Sequence, residues 1–342
     1  MAGSGWTWRT CCGFFTKSST VGFVAPRFVR RSRSNLHPTR HLQWLSAPAL
    51  AAAVLAVLLC SSPSEAASDR SPSLSASPVS FVERSRPFRL SRGHEPAAHS
   101  ILLKDLTSGK TLYEYESDRR LSPASLTKIM SALVILEYGQ LQDHATVSRK
   151  AAAAPRTHLR LRAGQVFRLE DLLKAMLITS ANDACLAAVE HVAGSEEQFV
   201  DLMNAKAGTL GLAGTHFSNA CGFDAPNHYA TATDLAKLSE IALQNPIFKA
   251  LVREEIEVIS AVNVNRSFLL KTTNRLLGRM PGVEGVKTGF TSRAGRCLIA
   301  KVSQDGKELL LVLLHANRRW NTATSLINYG LQSVDGPVGS IR

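Results

Sequence analysis

The period of the apolar positions changes several times along this chain, and each change marks an element. Ser100-Ile-Leu-Leu-Lys-Asp and Thr111-Leu-Tyr-Glu-Tyr flank the turn Thr107-Ser108-Gly109-Lys110, which predicts a β-hairpin. Leu126, Ile129, Met130, Leu133, Val134 and Leu136 then fall at helical spacing with Gly139 behind them, predicting a buried helix over 126–138. Leu169 to Ile178 and Ala184 to Val192 read as two more helices, separated by the polar turn Thr179-Ser180-Ala181-Asn182-Asp183. Thr231-Ala-Thr-Asp234 opens another, with Thr231 as its cap and Asp234 in the reciprocal position. Val283 to Phe290, Arg296 to Val302 and Glu308 to Leu314 are extended runs joined by Ala294-Gly295 and Asp305-Gly306 turns. Strands, then helices, then strands predict an α+β fold: the terminal strands pair into one antiparallel sheet that carries a helical block, a three-layer single domain.

The N-terminal third has no such periodicity. Arg30, Arg31, Arg33 and Arg40 precede the apolar run Ala47 to Leu59, and Ser64-Glu65-Ala66 follows it. A charged region, a short apolar core and small residues form a signal-peptide pattern, and the core is shorter than the roughly 20 residues that span a bilayer. Residues 1–66 are therefore read as a leader, with Met1 to Pro38 suggesting an over-extended start. An uncleaved leader would be the chain's membrane tether, and bulky Leu58-Leu59 ahead of Cys60 argue against lipidation there. Residues 67–99, rich in Ser, Pro, Ala and Arg, read as a disordered linker. The folded domain is expected over 100–333, with 334–342 as a tail.

Charge adds little once the leader is set aside. The formal net charge is +13, but residues 1–66 hold seven Lys or Arg and one acid, leaving +7 for the rest. No basic helix or aromatic RNA-binding strand concentrates that charge, so nucleic acid is not expected as a partner. Arg156-Thr-His158-Leu-Arg160-Leu-Arg162 alternates basic and apolar residues and predicts an extended segment with one charged face. Outside the leader, Cys185, Cys221 and Cys297 are spaced like neither a zinc site nor a disulfide framework. They are expected to be small buried side chains.

Three short motifs carry candidate chemistry. Ser125 and Lys128 lie three apart at a helix start, so their side chains share a face, and a lysine of lowered pKa could accept the hydroxyl proton. Ser180-Ala181-Asn182 lies in the break between two helices, where polar groups can enter a cleft. Lys287-Thr288-Gly289 interrupts a strand, which suits close approach of a ligand to the backbone. Each is common by itself; their order and element types match the penicillin-binding signature.

Ser122-Pro-Ala-Ser125-Leu-Thr-Lys128-Ile-Met130, Ser180-Ala-Asn182-Asp-Ala-Cys185, His228-Tyr-Ala-Thr231-Ala-Thr-Asp234 and Gly285-Val-Lys287-Thr-Gly-Phe290-Thr291 resemble the D-alanyl-D-alanine carboxypeptidase family, the low-molecular-mass penicillin-binding proteins. The resemblance runs from about Ser100 to Gln332 and implies the β-lactamase and DD-peptidase type of fold. It implies an exported enzyme, periplasmic or facing the cell wall, whose substrate is a peptidoglycan stem peptide ending in D-Ala-D-Ala. β-Lactams would be its covalent inhibitors, and no metal or other cofactor would be needed. By the same resemblance Ser125 is the nucleophile, Lys128 its proton acceptor and Ser180 a proton relay. Asn182 would hold the substrate backbone, Lys287 and Thr288 the terminal carboxylate, and the amides of Ser125 and Phe290 would form the oxyanion hole. His228 is expected to be structural or adjacent to substrate. A DD-endopeptidase would use the same site; a class A β-lactamase has Asp where this chain has Ala181; a silent wall-binding protein would have no need of the intact Ser125, Lys128, Ser180 and Lys287. From the length of the stretch after the last motif, neither the second β-rich domain nor the amphipathic anchor of larger family members is expected.

Overall fold

A computed structural model describes residues 97–333. The leader, the tail and nearly all of the linker lie outside the described residues.

A five-stranded antiparallel sheet organises the molecule: β1 (Ala98–Asp105), β2 (Thr111–Tyr115), β7 (Val283–Thr291), β8 (Gly295–Gln304) and β9 (Lys307–Ala316), in the order β2-β1-β9-β8-β7. The first strand starts at Ala98, two residues inside the segment read as linker, because Ala98 pairs with Ala316 of β9. The uninterrupted apolar run of β9 follows from its central place. Leu309, Leu311 and Leu313 pack into one layer with Ala323, Leu326 and Ile327, while Leu310, Val312 and Leu314 face the helical block. A strand covered on both faces has no polar alternate positions. The first of these layers is closed by α8 (Arg319–Gln332).

The helical block on the other face comprises α1 (Lys128–Tyr138), α2 (Arg149–Ala152), α3 (Leu169–Ile178), α4 (Asn182–Ala193), α5 (Glu196–Thr209), α6 (Ala232–Gln244) and α7 (Pro246–Leu251). Two small ribbons, β3 (His144–Thr146) with β4 (Val166–Arg168) and β5 (Ile256–Ser260) with β6 (Ser267–Lys271), flank it. The α+β, three-layer expectation is borne out, as are the hairpin, the three terminal strands and the helices over 126–138 and 169–178 in outline. Among the described residues no helix is long and apolar enough to cross a membrane.

Three local expectations are corrected. The first helix opens as a 3-10 turn, Ala124–Thr127, so Ser125 stands in that turn and Lys128 begins the α-helix. Thr231 does cap α6, its Oγ1 accepting from the Asp234 amide at 3.0 Å, but the Asp234 carboxylate accepts from Gly214 N and Thr215 Oγ1. A competing loop donor has taken the second half of the capping box. The 156–162 stretch is an irregular loop and not a strand, because Arg156 (φ 66°) and Arg160 (φ 60°) adopt left-handed backbone and the Asp183 carboxylate accepts from Leu159 N and Leu161 N.

Candidate active site

The turn that carries Ser125 lies against β7, the edge strand of the sheet. A Cβ built on Gly289 of β7 would come within 3.1 Å of Ala124 Cβ and of Pro123 O, so a side chain there would push the turn away. Gly222, at φ +85°, is closer still: its Cβ would lie 2.0 Å from Ala124 O. Two glycines thus let a strand and a loop close on the residue before Ser125. Ala124 itself has a positive φ of 50°, a conformation disfavoured for any residue with a side chain and typical of strained functional turns.

Lys128 is fully buried. Its Nζ lies 3.1 Å from Ser125 Oγ and donates to Asn182 Oδ1 at 2.7 Å and to the Cys221 carbonyl at 2.6 Å. None of these partners is anionic. Burial, and then the nearby charge of Lys287, hold its pKa well below that of an ordinary lysine. The neutral amine has two N–H groups and one lone pair. The two carbonyl oxygens can only accept, so they take the N–H groups and leave the lone pair facing the Ser125 hydroxyl. Ser125 then donates to Nζ, the arrangement in which its proton can be removed.

Asn182, the first residue of α4, bonds at both ends of its amide: Oδ1 receives Lys128 and Nδ2 donates to Pro155 O at 2.9 Å. Ser180 precedes it at φ 64°, between two helices, and lines the same cleft as Ser125. The three bonds of Lys128 go elsewhere, so Ser180 stands beside the Ser125–Lys128 pair and not within its hydrogen bonds.

On the strand wall, Lys287 is buried, donates to the Thr288 carbonyl at 3.1 Å, and has its pKa lowered to about 7 by burial and by Arg319. The Thr288 hydroxyl shares a hydrogen bond with Thr273 Oγ1. Phe290 is 56% exposed, with the Arg296 guanidinium over its ring. The cleft of about 260 Å³ is bordered by Ser125, Ser180, Thr288 and Phe290; Lys128, Asn182 and Lys287 stand behind it. All seven expected residues therefore converge, in two shells.

Several site residues escaped the sequence reading. Arg319, at the start of α8, reaches back to the cleft, where its guanidinium donates to Gly289 O and Cys297 O at 2.9 and 2.8 Å. Burial lowers its pKa to about 10. Arg156, Thr157 and Thr273 also border the cleft. The loop at 219–223 supplies the Cys221 carbonyl: Asn219 Oδ1 accepts from Gly222 N and Phe223 N, and Ser131 Oγ donates to Ala220 O. A backbone carbonyl leaves no mark in a sequence motif; the positive-φ Gly222 was the available signal.

That loop is also stapled. Cys185 on α4 and Cys221 form a disulfide with Cα atoms 6.1 Å apart, which overturns the expectation of free buried thiols, although both are buried as expected. The pair meets because α4 and the 219–223 loop pack together beside α1, a tertiary proximity that a separation of 36 residues does not reveal. Cys297 is the buried free thiol of the body, its pKa raised to about 11 by desolvation. Removing the staple in a Cys185→Ala/Cys221→Ala variant is expected to cost about 4 kcal/mol on the loop-entropy model. Urea unfolding of the oxidised wild type and the variant checks this, and equal midpoints with equal slopes would refute the pairing.

His228 is structural. It is 3% exposed, its Nδ1 accepts from Ser218 N at 3.0 Å, and its Nε2 lies 2.8 Å from Thr127 Oγ1. Thr127 Oγ1 donates onward to Ala124 O, so Nε2–H donates to Thr127 and the neutral ring braces the Ser125 turn. A second proton on Nδ1 would oppose the Ser218 N–H, and burial lowers the pKa from 6.5 to about 4. On acidification the unfolded chain binds the proton first. The contribution is thus complete above about pH 6.5 and is lost as pH falls toward 4, by up to about 3 kcal/mol. Thermal melts from pH 7 to 4 should show a shallower acid slope in His228→Gln than in wild type; parallel slopes would assign the acid loss elsewhere.

Comparison with known proteins bears on this geometry. A family model described as D-alanyl-D-alanine carboxypeptidase matches residues 88–318. D-alanyl-D-alanine carboxypeptidase DacF of Bacillus subtilis is 34% identical over 249 residues, covering 71% of this chain and 63% of that protein. DacC of Escherichia coli is 36% identical over 251 residues, covering 69% of this chain and 61% of the relative. The chain thus spans about three-fifths of the length of these curated relatives. The crystal structure of the Streptomyces K15 DD-transpeptidase superposes with a TM-score of 0.67 at 28% identity, over 70% of this chain and 99% of that one.

Proposed function

This chain belongs to the D-alanyl-D-alanine carboxypeptidase family, and we propose that it is itself a serine D-Ala-D-Ala carboxypeptidase that trims peptidoglycan stem peptides through an acyl-enzyme on Ser125. The observation that carries this reading is the fully buried Lys128, 3.1 Å from Ser125 and held by two carbonyl oxygens, with no acidic partner among the described residues.

The chemistry follows from those positions. The terminal carboxylate of the peptide meets Thr288, Thr273 and the Arg319 guanidinium, with Lys287 behind them. Ser125 Oγ attacks the carbonyl between the two D-alanines while Lys128 Nζ takes its proton. The backbone amides of Ser125 and Phe290 stabilise the developing oxyanion, a contribution of about 3 kcal/mol in comparable sites. The C–N bond then breaks, and the departing amine receives the proton held by Lys128, for which we propose Ser180, on the wall of the same cleft, as the relay. Water, deprotonated by Lys128, attacks the Ser125 ester and frees the shortened peptide. Asn182 positions Lys128, so both ends of its amide serve the catalytic base and the 155–161 loop. β-Lactams would acylate Ser125 by the same attack. Such a substrate lies outside the cytoplasm, so we place the enzyme in the periplasm or at the wall, carried there by the leader.

A peptide ending in D-Ala-D-Ala and a cross-linked muropeptide dimer, offered in parallel, test the reading. Release of free D-alanine from the first, with the dimer cut much more slowly, is expected. Cleavage of the dimer alone would establish a DD-endopeptidase, and rapid turnover of penicillin a β-lactamase.

A further inference from the structure

We propose that Arg156 makes this enzyme selective for peptides with a free carboxylate on the acyl-donor side of the bond it cleaves, a proposal that rests on the carboxypeptidase reading above. Among the described residues, two guanidinium groups, Arg156 and Arg319, border the cleft, and no carboxylate does. Arg319 belongs to the strand wall, bonded to Gly289 O beside Thr288, where the terminal carboxylate is read. Arg156 belongs to the other wall, on the loop that α4 holds in place. A D-Ala-D-Ala end brings one carboxylate only, and it departs with the leaving D-alanine. The charge of Arg156 is therefore answered by the part of the peptide that stays on Ser125.

The loop is built to hold Arg156 still. Asn182 Nδ2 donates to Pro155 O at 2.9 Å, and Asn182 N donates to Thr157 O at 2.8 Å, so the residues on both sides of Arg156 are pinned. Leu159 N and Leu161 N donate to the two oxygens of Asp183 at 3.1 and 2.9 Å. Arg156 itself is exposed and adopts φ 66°, a left-handed backbone conformation that persists only where neighbouring bonds enforce it. Among the described residues it enters none of the ion pairs, whereas Lys150, Lys174 and Arg253 each have an acid partner. A planar, permanently charged donor, carried on a pinned backbone at the mouth of a cleft whose described lining has no acid, suits bidentate recognition of a carboxylate.

The test uses the whole enzyme and N-acetylated peptides ending in D-Ala-D-Ala, in matched pairs that differ in one carboxylate, free or amidated. That carboxylate is placed in turn on each of the two residues preceding D-Ala-D-Ala, and D-alanine release gives kcat/KM. Wild type should prefer the free carboxylate at one of the two positions by about tenfold, the size of one partly solvated charge-assisted bond. Arg156→Gln should abolish that ratio and Arg156→Glu should invert it, an inversion that a merely structural role would not produce. Equal rates on both members of every pair in wild type, or an undiminished ratio in both variants, overturns the proposal alone. No D-alanine from any peptide overturns the carboxypeptidase reading and the proposal with it.

Discussion

Lys128→Met is expected to lower the rate at which Ser125 is acylated by on the order of 10³-fold, the usual weight of a positioned general base. Methionine keeps most of the volume of this fully buried side chain, so the loss reports the amine and not a cavity. The pH dependence separates the two lysines of the site. The active form of Lys128 is the neutral amine, so acylation rises with pH as its proton leaves, and it levels off well below the pH at which a free lysine titrates, because burial and Lys287 depress its pKa. Lys287, its pKa lowered to about 7, loses its charge as pH rises through that value, and KM for substrates bearing a terminal carboxylate should then rise. Stopped-flow acylation by a chromogenic penicillin from pH 5 to 10 resolves both limbs. An acylation rate in Lys128→Met within a few-fold of wild type would remove Lys128 from the mechanism.

Gly222→Ala is the second large effect, and it comes from a residue with no chemistry of its own. An alanine Cβ would stand 2.0 Å from Ala124 O and 2.9 Å from Ser125 N, contacts that no rotamer can relieve because both sides are backbone. The turn or the 219–223 loop must move. Either shift separates Ser125 from Lys128 or the Cys221 carbonyl from Lys128 Nζ, and displacements near 1 Å cost about 10²-fold in rate. Gly109→Ala supplies the control: it too has a positive φ, +74°, but nothing lies within 4 Å of its added Cβ, so only the backbone penalty of about 1 kcal/mol is expected. Penicillin labelling of the two variants beside wild type checks the contrast. Equal labelling of all three would mean the close approach at Gly222 does not govern the site.

How much of this the sequence displayed depends on the range of each interaction. β9 was legible because its six consecutive apolar residues serve two layers at once. Ser125, Lys128 and Lys287 were legible because a hydroxyl three residues from a lysine, and a lysine inside a strand, are local patterns. α8 was passed over: Asn, Thr and Gly dilute its apolar stripe, and with it went Arg319, whose role depends on a fold that returns the C-terminal helix to β7. The disulfide and the Cys221 carbonyl were missed for the same reason, since both arise where α4 and a distant loop meet beside Lys128. Asn182 was assigned to substrate from its motif; what the motif did not show are the bonds of its side chain to the base and to the loop that carries Arg156.

The central claim is that Ser125 forms the acyl-enzyme, and the most direct test is to incubate the protein with penicillin, digest it and locate the adduct by mass spectrometry. A single stable adduct is expected on the peptide containing Ser125, absent from Ser125→Ala protein that retains the wild-type circular dichroism spectrum. An adduct on any other residue, or undiminished labelling of Ser125→Ala, would contradict it.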